Sequence, residues 1–129
     1  MQKDFLRWHK KKSRLNDVPN GPLFHEREVW LCYFGANIGS EQDGKGDAFL
    51  RPAVILQKFG RGVFWALLLT RVPKMDQYHF PLSFKPDVKS FAILSQIRLF
   101  DMRRLKRKIG NVEEVDFELM KQKFKALLP

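Results

Sequence analysis

Gly39, Gly44 and Lys45 stand at the spacing of a phosphate-cradling loop, G-x-x-x-x-G-K, within the stretch GSEQDGKGDAFLRP. Such a loop aims backbone N–H groups at phosphate oxygens and places a Ser or Thr hydroxyl on Mg²⁺ at its eighth position. Gly46 occupies that position, and the Asp-Ala-Phe-Leu-Arg-Pro that follows does not open a helix. The loop therefore needs another explanation. At its far end lies Arg51, whose guanidinium has the planar fork that binds two phosphate oxygens at once, which a lysine does less well. On the residues alone, Arg51 is more simply a surface arginine beside a strand-starting Pro, and Thr70, at the end of VFWALLLT, an ordinary β-branched strand residue.

Other chemistry is sparse. Arg103, Arg104, Lys106, Arg107 and Lys108 put five positive charges in six residues. A solvated face accounts for most such runs, but a second basic group at residues 10 to 14 and a net charge of +10 make an RNA or DNA surface an equal reading. His9, His25 and His79 lack the spacing of a zinc site, and no G-x-S-x-G or comparable nucleophile signature occurs. An acid/base role stays open for His79 between Tyr78 and Phe80, beside the plainer reading of a barrel-surface histidine. Cys32 is the single cysteine and lies inside an apolar run, which predicts a buried thiol, no intrachain disulfide and a reducing compartment.

The elements that position these residues can be read from the pattern. At 129 residues with 44% hydrophobic content and twelve Phe, one domain with a real core is expected. The longest apolar run, Val63 to Leu69, is far below the ~20 residues that span a bilayer, and no signal-peptide pattern occurs, so a soluble cytoplasmic protein is expected. Residues 4 to 15 have the pattern of a short amphipathic helix, broken by NDVPNGP, so that residues 1–24 form a basic extension to a single domain at 25–129. Five stretches, 28–34, 52–59, 63–70, 79–84 and 90–100, are rich in β-branched and aromatic residues and have strand length. Gly60-Arg61-Gly62 reads as a tight hairpin, and Pro81 confines its strand to an edge or bulge.

Residues 101–110 are ambiguous between a helical turn capped by Asp101 and a short strand. From Asn111, taken as N-cap with Glu114 at N3, the apolar positions Val112, Val115, Leu119, Met120, Phe124, Leu127 and Leu128 predict a terminal helix. Five or six short strands with one helix predict a mainly β fold: a small, partly open barrel with the helix packed on it.

Four blocks in order, REVWLCYFGANIGSEQ, RPAVIL, FWALLLT and ILSQIRLFDMRRLKRKIG, together resemble the MazF/PemK family of toxin endoribonucleases over about residues 27 to 128. The resemblance implies an SH3-like barrel with a C-terminal helix, working as a homodimer in a bacterial or archaeal cytoplasm. It also implies cleavage of single-stranded RNA without metal or cofactor, inhibition by a cognate antitoxin protein, and DNA binding together with that antitoxin. A related group, resembling CcdB, acts instead on a protein target such as DNA gyrase. That group keeps open a non-catalytic alternative on the same barrel.

By the same resemblance, Arg51 matches the catalytic Arg of the R-P motif and Thr70 the Thr of P-L-T-S. Here that motif reads Leu68-Leu69-Thr70-Arg71, which offers Arg71 as an added phosphate contact. Glu41 and Gln42 fall on the E-Q positions and Gln96 and Arg98 on the Q-x-R block, all with implied substrate-binding roles. For Gln96 and Arg98, a structural role at the barrel or dimer interface stands beside RNA contact. One branch of the family carries another acid/base set, and this chain has Ser40, Ile93 and Ser95 at those positions. The loop from Asp43 to Leu50 is longer than the family's usual spacer, which implies a changed access to the site.

Overall fold

The computed structural model describes residues 21–34, 50–60 and 62–129. The helix expected at 4 to 15 and the loop carrying Glu41 and Gln42 lie outside the described residues. Six strands follow in order: β1 (Glu28–Tyr33), β2 (Leu50–Phe59), β3 (Val63–Thr70), β4 (His79–Lys85), β5 (Val88–Asp101) and β6 (Leu105–Asn111). They form one antiparallel sheet in the order β4-β5-β3-β2-β1-β6, and helix α1 (Glu114–Lys125) closes the chain. Pro81 does lie on an edge strand, β4, where its missing N–H costs no ladder bond.

The sheet curls until its two edges approach each other. Gly110 of β6 permits that approach, because a Cβ built there would stand 2.6 Å from the carbonyl oxygen of Phe84 in β4. The result is a partly open barrel.

Alternation along the strands sends side chains to two cores, one on each side of the sheet. Trp30, Cys32, Phe34, Ala53, Ile55, Phe64, Ala66 and Leu68 belong to one, together with Phe24, Phe100 and Leu105. Much of the phenylalanine is spent there. The Phe64 ring lies 4.9 Å from Phe24 and 5.9 Å from Phe100, and Phe34 stands edge-on to Phe100 at 6.4 Å. Each such pair adds ~1 kcal/mol beyond its burial. Val29, Val54, Leu56, Leu67, Leu69, Leu82, Ala92 and Leu94 form the other core, and Val112, Phe117 and Met120 seal it.

Within the sheet, β5 bends. Leu67 pairs with Ile97 but Leu69 pairs with Ala92, so Ile93 to Gln96 bulge opposite Leu68 alone. Bulges of this kind kink a strand and strengthen its twist.

Two sequence expectations met a more specific outcome. Residues 101–110 satisfy both alternatives in succession: Asp101 caps a single 3-10 turn at Met102–Arg104, accepting from Arg103 N, and β6 then begins at Leu105. The helix start is a correction. Asn111 is the last residue of β6, opposite Glu28, and the N-cap is Glu113, which makes no side-chain capping bond. Cross-strand pairing to β1 outweighs a local capping bond worth ~1 kcal/mol. The buried face of α1 is Phe117 and Met120, whereas Val115 and Leu119 are exposed.

Candidate functional site

Arg51 is the second residue of β2 and lies opposite Cys32 of β1. That pairing fixes its direction. Cys32, Trp30 and Phe34 share one side of β1 by alternation, and Arg51 shares that side with Ala53 and Ile55 on β2. The expectation of a surface arginine is therefore overturned: only 4% of Arg51 is exposed.

A buried guanidinium demands partners, since desolvating a charge without compensation costs several kcal/mol. Arg51 has few. Its Nη2 donates to the Leu69 carbonyl at 3.4 Å, a long bond, and its Nη1 is buried without a hydrogen-bond partner among the described residues. The Phe34 ring lies beneath it, 5.8 Å from the guanidinium carbon.

The same ring carries a second cation, with the Arg98 guanidinium carbon 4.6 Å from its centroid. Burial, and after it the charge of Arg98, pulls the Arg51 proton affinity below the usual guanidinium value. A guanidinium stays ionised under these conditions, so an anion, rather than proton loss, would offset its burial. Buried positive charge with a spare N–H and a like-charged neighbour is suited to hold an anion, and Arg51's fork matches phosphate.

Thr70 ends β3. The β2–β3 ladder ends with Ala53 opposite Leu68, and Thr70 lies two residues further along β3, beside Leu69, whose carbonyl accepts from Arg51. Its Oγ1 accepts from Val72 N at 3.2 Å. That bond uses an acceptor site on the oxygen and leaves the hydroxyl proton to donate elsewhere. Arg71 follows and is exposed.

The sequence-derived set is thus brought together in part. Arg51 and Arg98 meet over Phe34, while Thr70 adjoins Leu69, whose carbonyl accepts from Arg51, and is followed by the exposed Arg71. Gln96 is exposed and lies in the β5 bulge. Glu41 and Gln42 lie outside the described residues. Phe34 is the residue that sequence reasoning passed over as a member of the site. The signal for it was alternation, because Trp30, Cys32 and Phe34 must share a face.

The basic run from Arg103 to Lys108 is not one solvated face. Arg103 forms a two-pronged pair with Asp101, at 2.9 Å through Nε and 3.0 Å through Nη2. Arg104 is half-buried and donates from Nη1 to the Tyr33 carbonyl at 3.4 Å, and burial first lowers its proton affinity while Asp101 raises it. Lys108 reaches Glu28 at 3.2 Å. Arg107 remains exposed, and Lys106 stands 6.0 Å from the Tyr33 ring. Much of the charge in this run is committed to holding β6 against β1.

Two further titratable groups are ordered. His79 directs Nδ1 to Asp76 Oδ1 at 2.7 Å, and this bond is the largest cause of a lowered Asp76 carboxyl pKa. Glu28 is buried and accepts from Trp30 Nε1 and His25 N, both at 2.9 Å. Burial alone would raise Glu28, but these bonds and those from Lys108 and the His25 ring hold it below the usual carboxylate value. Burial pushes the Cys32 thiol up to about 12, which keeps it protonated and unreactive at neutral pH. No described helix is long and apolar enough to cross a membrane.

Known proteins share this fold. No individually curated protein matches the sequence. Among solved structures, MazF from Deinococcus radiodurans superposes with a TM-score of 0.59 at 20% identity, covering 84% of this chain and 96% of that one. The Mycobacterium tuberculosis toxin MazF-mt6 gives 0.60 at 11% identity, covering 78% and 94%. An endoribonuclease from a mycobacterial species, solved in complex with its cognate antitoxin, gives 0.62 at 12% identity, covering 83% and 98%. At these identities the likeness speaks for the fold, a mainly β barrel of six antiparallel strands with a C-terminal helix. The sequence profile of the PemK-like, MazF-like toxins of type II toxin-antitoxin systems matches residues 25–128, and the chain belongs to that family.

Proposed function

We propose that this toxin is an endoribonuclease that cleaves single-stranded RNA at the Arg51 site. The observation that carries the reading is the buried Arg51 guanidinium, with its Nη1 unpartnered among the described residues and Arg98 on the same Phe34 ring. A fold has no need to bury a cation in this way. A phosphodiester supplies the missing acceptor oxygens.

The reaction is a transesterification. The ribose 2′-oxygen attacks the adjacent phosphorus and loses its proton. The bond from phosphorus to the 5′-oxygen breaks, that oxygen gains a proton, and a 2′,3′-cyclic phosphate remains. Charge grows on the non-bridging oxygens at the pentacoordinate stage. Arg51, preorganised and desolvated, favours that growth over the ground state. Thr70 donates its free hydroxyl proton to the same phosphate or orients the 2′-oxygen. Arg71 and Arg98 contribute attraction to the strand, and Glu41, Gln42 and Gln96 take part in binding it.

Residues 25–129 act as one barrel domain, with residues 1–24 as a basic extension. The working form is a cytoplasmic homodimer, and a cognate antitoxin covers the RNA groove. The +10 net charge favours both a polyanionic substrate and an acidic inhibitor.

Incubation of the purified protein with labelled single-stranded RNA in EDTA tests the reading. Discrete fragments ending in cyclic phosphate are expected, and their loss in Arg51→Ala with the fold intact. RNA that is retarded but uncut would mark a binder. Undiminished cleavage by Arg51→Ala would remove Arg51 from the mechanism.

A further inference from the structure

Attack by the ribose 2′-oxygen expels a 5′-oxygen that must gain a proton. Arg51 does not supply it, because a guanidinium in a protein keeps its protons, and the Thr70 hydroxyl is a far weaker acid than an imidazolium. Imidazole is the side chain that most often performs such a transfer. Of the two described histidines, His25 precedes β1 at the end remote from the Cys32–Arg51 pair and is bound to Glu28. His79 is the other.

His79 opens β4, two strands from Thr70, yet the ladders set both on one face. Phe91 of β5 pairs with Thr70 on one side and with Pro81 on the other, and His79 lies two residues before Pro81 in regular pairing. Paired residues share a side of a sheet, and so do residues two apart on one strand. Thr70 in turn lies two residues beyond Leu68, and Arg51 two before Ala53, both members of the same core. His79, Thr70 and Arg51 therefore stand on one side of the sheet. Two strand spacings of ~4.8 Å and two residues of ~3.4 Å put the Cα atoms of His79 and Thr70 ~12 Å apart on the diagonal. A phosphodiester, hydrogen-bonded on both sides, spans the space between two such side chains.

The ring is already oriented. Its Nδ1 meets Asp76 Oδ1 at 2.7 Å, and the same oxygen accepts from Tyr78 N at 2.9 Å, which fixes the carboxylate in turn. The His79 bond above all holds the Asp76 carboxyl below its ordinary pKa, and an ionised carboxylate only accepts. Nδ1 therefore carries a hydrogen, and Nε2 is the nitrogen left to exchange a proton. A carboxylate placed in this way fixes the imidazole's tautomer and steadies the ring when both nitrogens are protonated.

We infer, on the endoribonuclease reading, that His79 is the general acid of the cleavage and that Asp76 is the residue that positions it. The 2′-oxygen bonds to phosphorus and releases its proton to solvent. As the bond from phosphorus to the 5′-oxygen breaks, the protonated ring passes its Nε2 proton to that oxygen, so a hydroxyl departs rather than an alkoxide. The neutral ring then regains a proton from solvent.

An RNA whose scissile 5′-oxygen is replaced by sulfur decides the matter, because a thiolate departs without a proton. Wild-type protein, His79→Ala and Asp76→Asn are each given the ordinary RNA and the 5′-thio RNA. His79→Ala is expected to lower kcat about 10²-fold on the ordinary RNA, as the loss of a general acid does, with KM unchanged. It should cut the 5′-thio RNA at the wild-type rate. Asp76→Asn should show the same pattern with a smaller loss, and added imidazole should restore part of the ordinary cleavage to His79→Ala.

Equal loss on both RNAs would overturn the assignment, as would wild-type rates on both. Both variants should bind an uncleavable 2′-O-methyl RNA with wild-type affinity. A loss of that affinity matching the loss of rate would place His79 in the fold rather than in the chemistry. If wild-type protein cuts neither RNA, the endoribonuclease reading fails and the acid falls with it. If it cuts both and His79→Ala does not discriminate between them, the reading stands and only His79 leaves the mechanism.

Discussion

Arg51 and Arg98 share one aromatic ring: their guanidinium carbons lie 5.8 and 4.6 Å from the centroid of Phe34. Two like charges are thereby held close together in a setting where Arg51 is almost wholly desolvated. The ring's negative face compensates each cation in part, and the rest of the compensation is left to the ligand. Replacing the ring while keeping the apolar bulk should separate its two roles. Phe34→Leu is expected to lower kcat/KM for RNA about tenfold, matching the 1–2 kcal/mol of a desolvated cation–π contact. Phe34→Tyr should keep most of the activity. Steady-state kinetics on a short fluorogenic RNA would measure both, and equal rates for all three proteins would refute a role for the ring.

Arg51 should trade stability for function. Arg51→Met removes a buried charge with an unpartnered Nη1 and substitutes a side chain of similar length, a change that is neutral or stabilising by 1–4 kcal/mol in comparable cases. Cleavage should fall by at least about 10²-fold, the loss seen when one transition-state donor is removed. Urea unfolding read beside the cleavage rate tests the pair of outcomes. A variant both inactive and markedly less stable would show that Arg51 serves the fold.

Phosphate contact by Arg51 predicts a salt signature. Affinity for single-stranded RNA should fall linearly with the logarithm of salt concentration, with a slope of about −0.7 per neutralised phosphate. Arg51→Ala should make that slope shallower by about one such unit. Fluorescence anisotropy at several salt concentrations provides the slopes. A parallel line with a lower intercept would mean that Arg51 touches no phosphate.

Acid should weaken the β1–β6 seam through Glu28. Its folded-state pKa lies below the ordinary carboxylate value of 4.5, so the unfolded chain takes up its proton first as pH falls. The stability it contributes is fully present above the unfolded pKa and is lost as pH drops through the folded one. Glu28→Gln should cost ~1–3 kcal/mol at pH 7 by weakening the set of bonds to Trp30, His25 and Lys108. It should also flatten the decline of the urea midpoint between neutral pH and about pH 3. A variant whose midpoint falls as steeply as that of the wild type would relocate the acid-sensitive group.

Two glycines should resist substitution for different reasons. Gly62 has φ +75, and a Cβ there would stand 2.5 Å from Met102 Sδ, so Gly62→Ala should cost ~1–3 kcal/mol. Gly110→Ala meets backbone instead, the Phe84 carbonyl at 2.6 Å, which cannot rotate aside. It should destabilise at least as much and loosen β4 from β6. Hydrogen exchange on the β4 amides would show the second effect and not the first.

Strand positions were legible in the sequence because β-branched and aromatic runs bounded by Gly and Pro are local signals. The glycine pair at 60 and 62 marked its hairpin for the same reason, since both residues have positive φ. The order of the four sequence blocks carries the family resemblance by itself. The 101–110 segment was not legible, because its short cap signal and its strand pattern compete locally, and only pairing with β1 assigns each to its own part. Asn111 was misread as a cap for the same reason.

Arg51 was picked out by sequence, but its burial was not. Nothing local distinguishes an arginine before a strand-starting Pro from a surface one. Its environment depends on Cys32 opposite it, Leu69 one strand away, and Phe34 and Arg98 from elements far apart in the chain. Desolvation and the meeting of two like charges are properties of packing, not of residue type. Local pattern thus determined which elements form and which residue types were on hand for phosphate. Tertiary structure alone decided that one of those residues became a buried cation, because only the pairing of β5, β3, β2 and β1 side by side brings their residues around it.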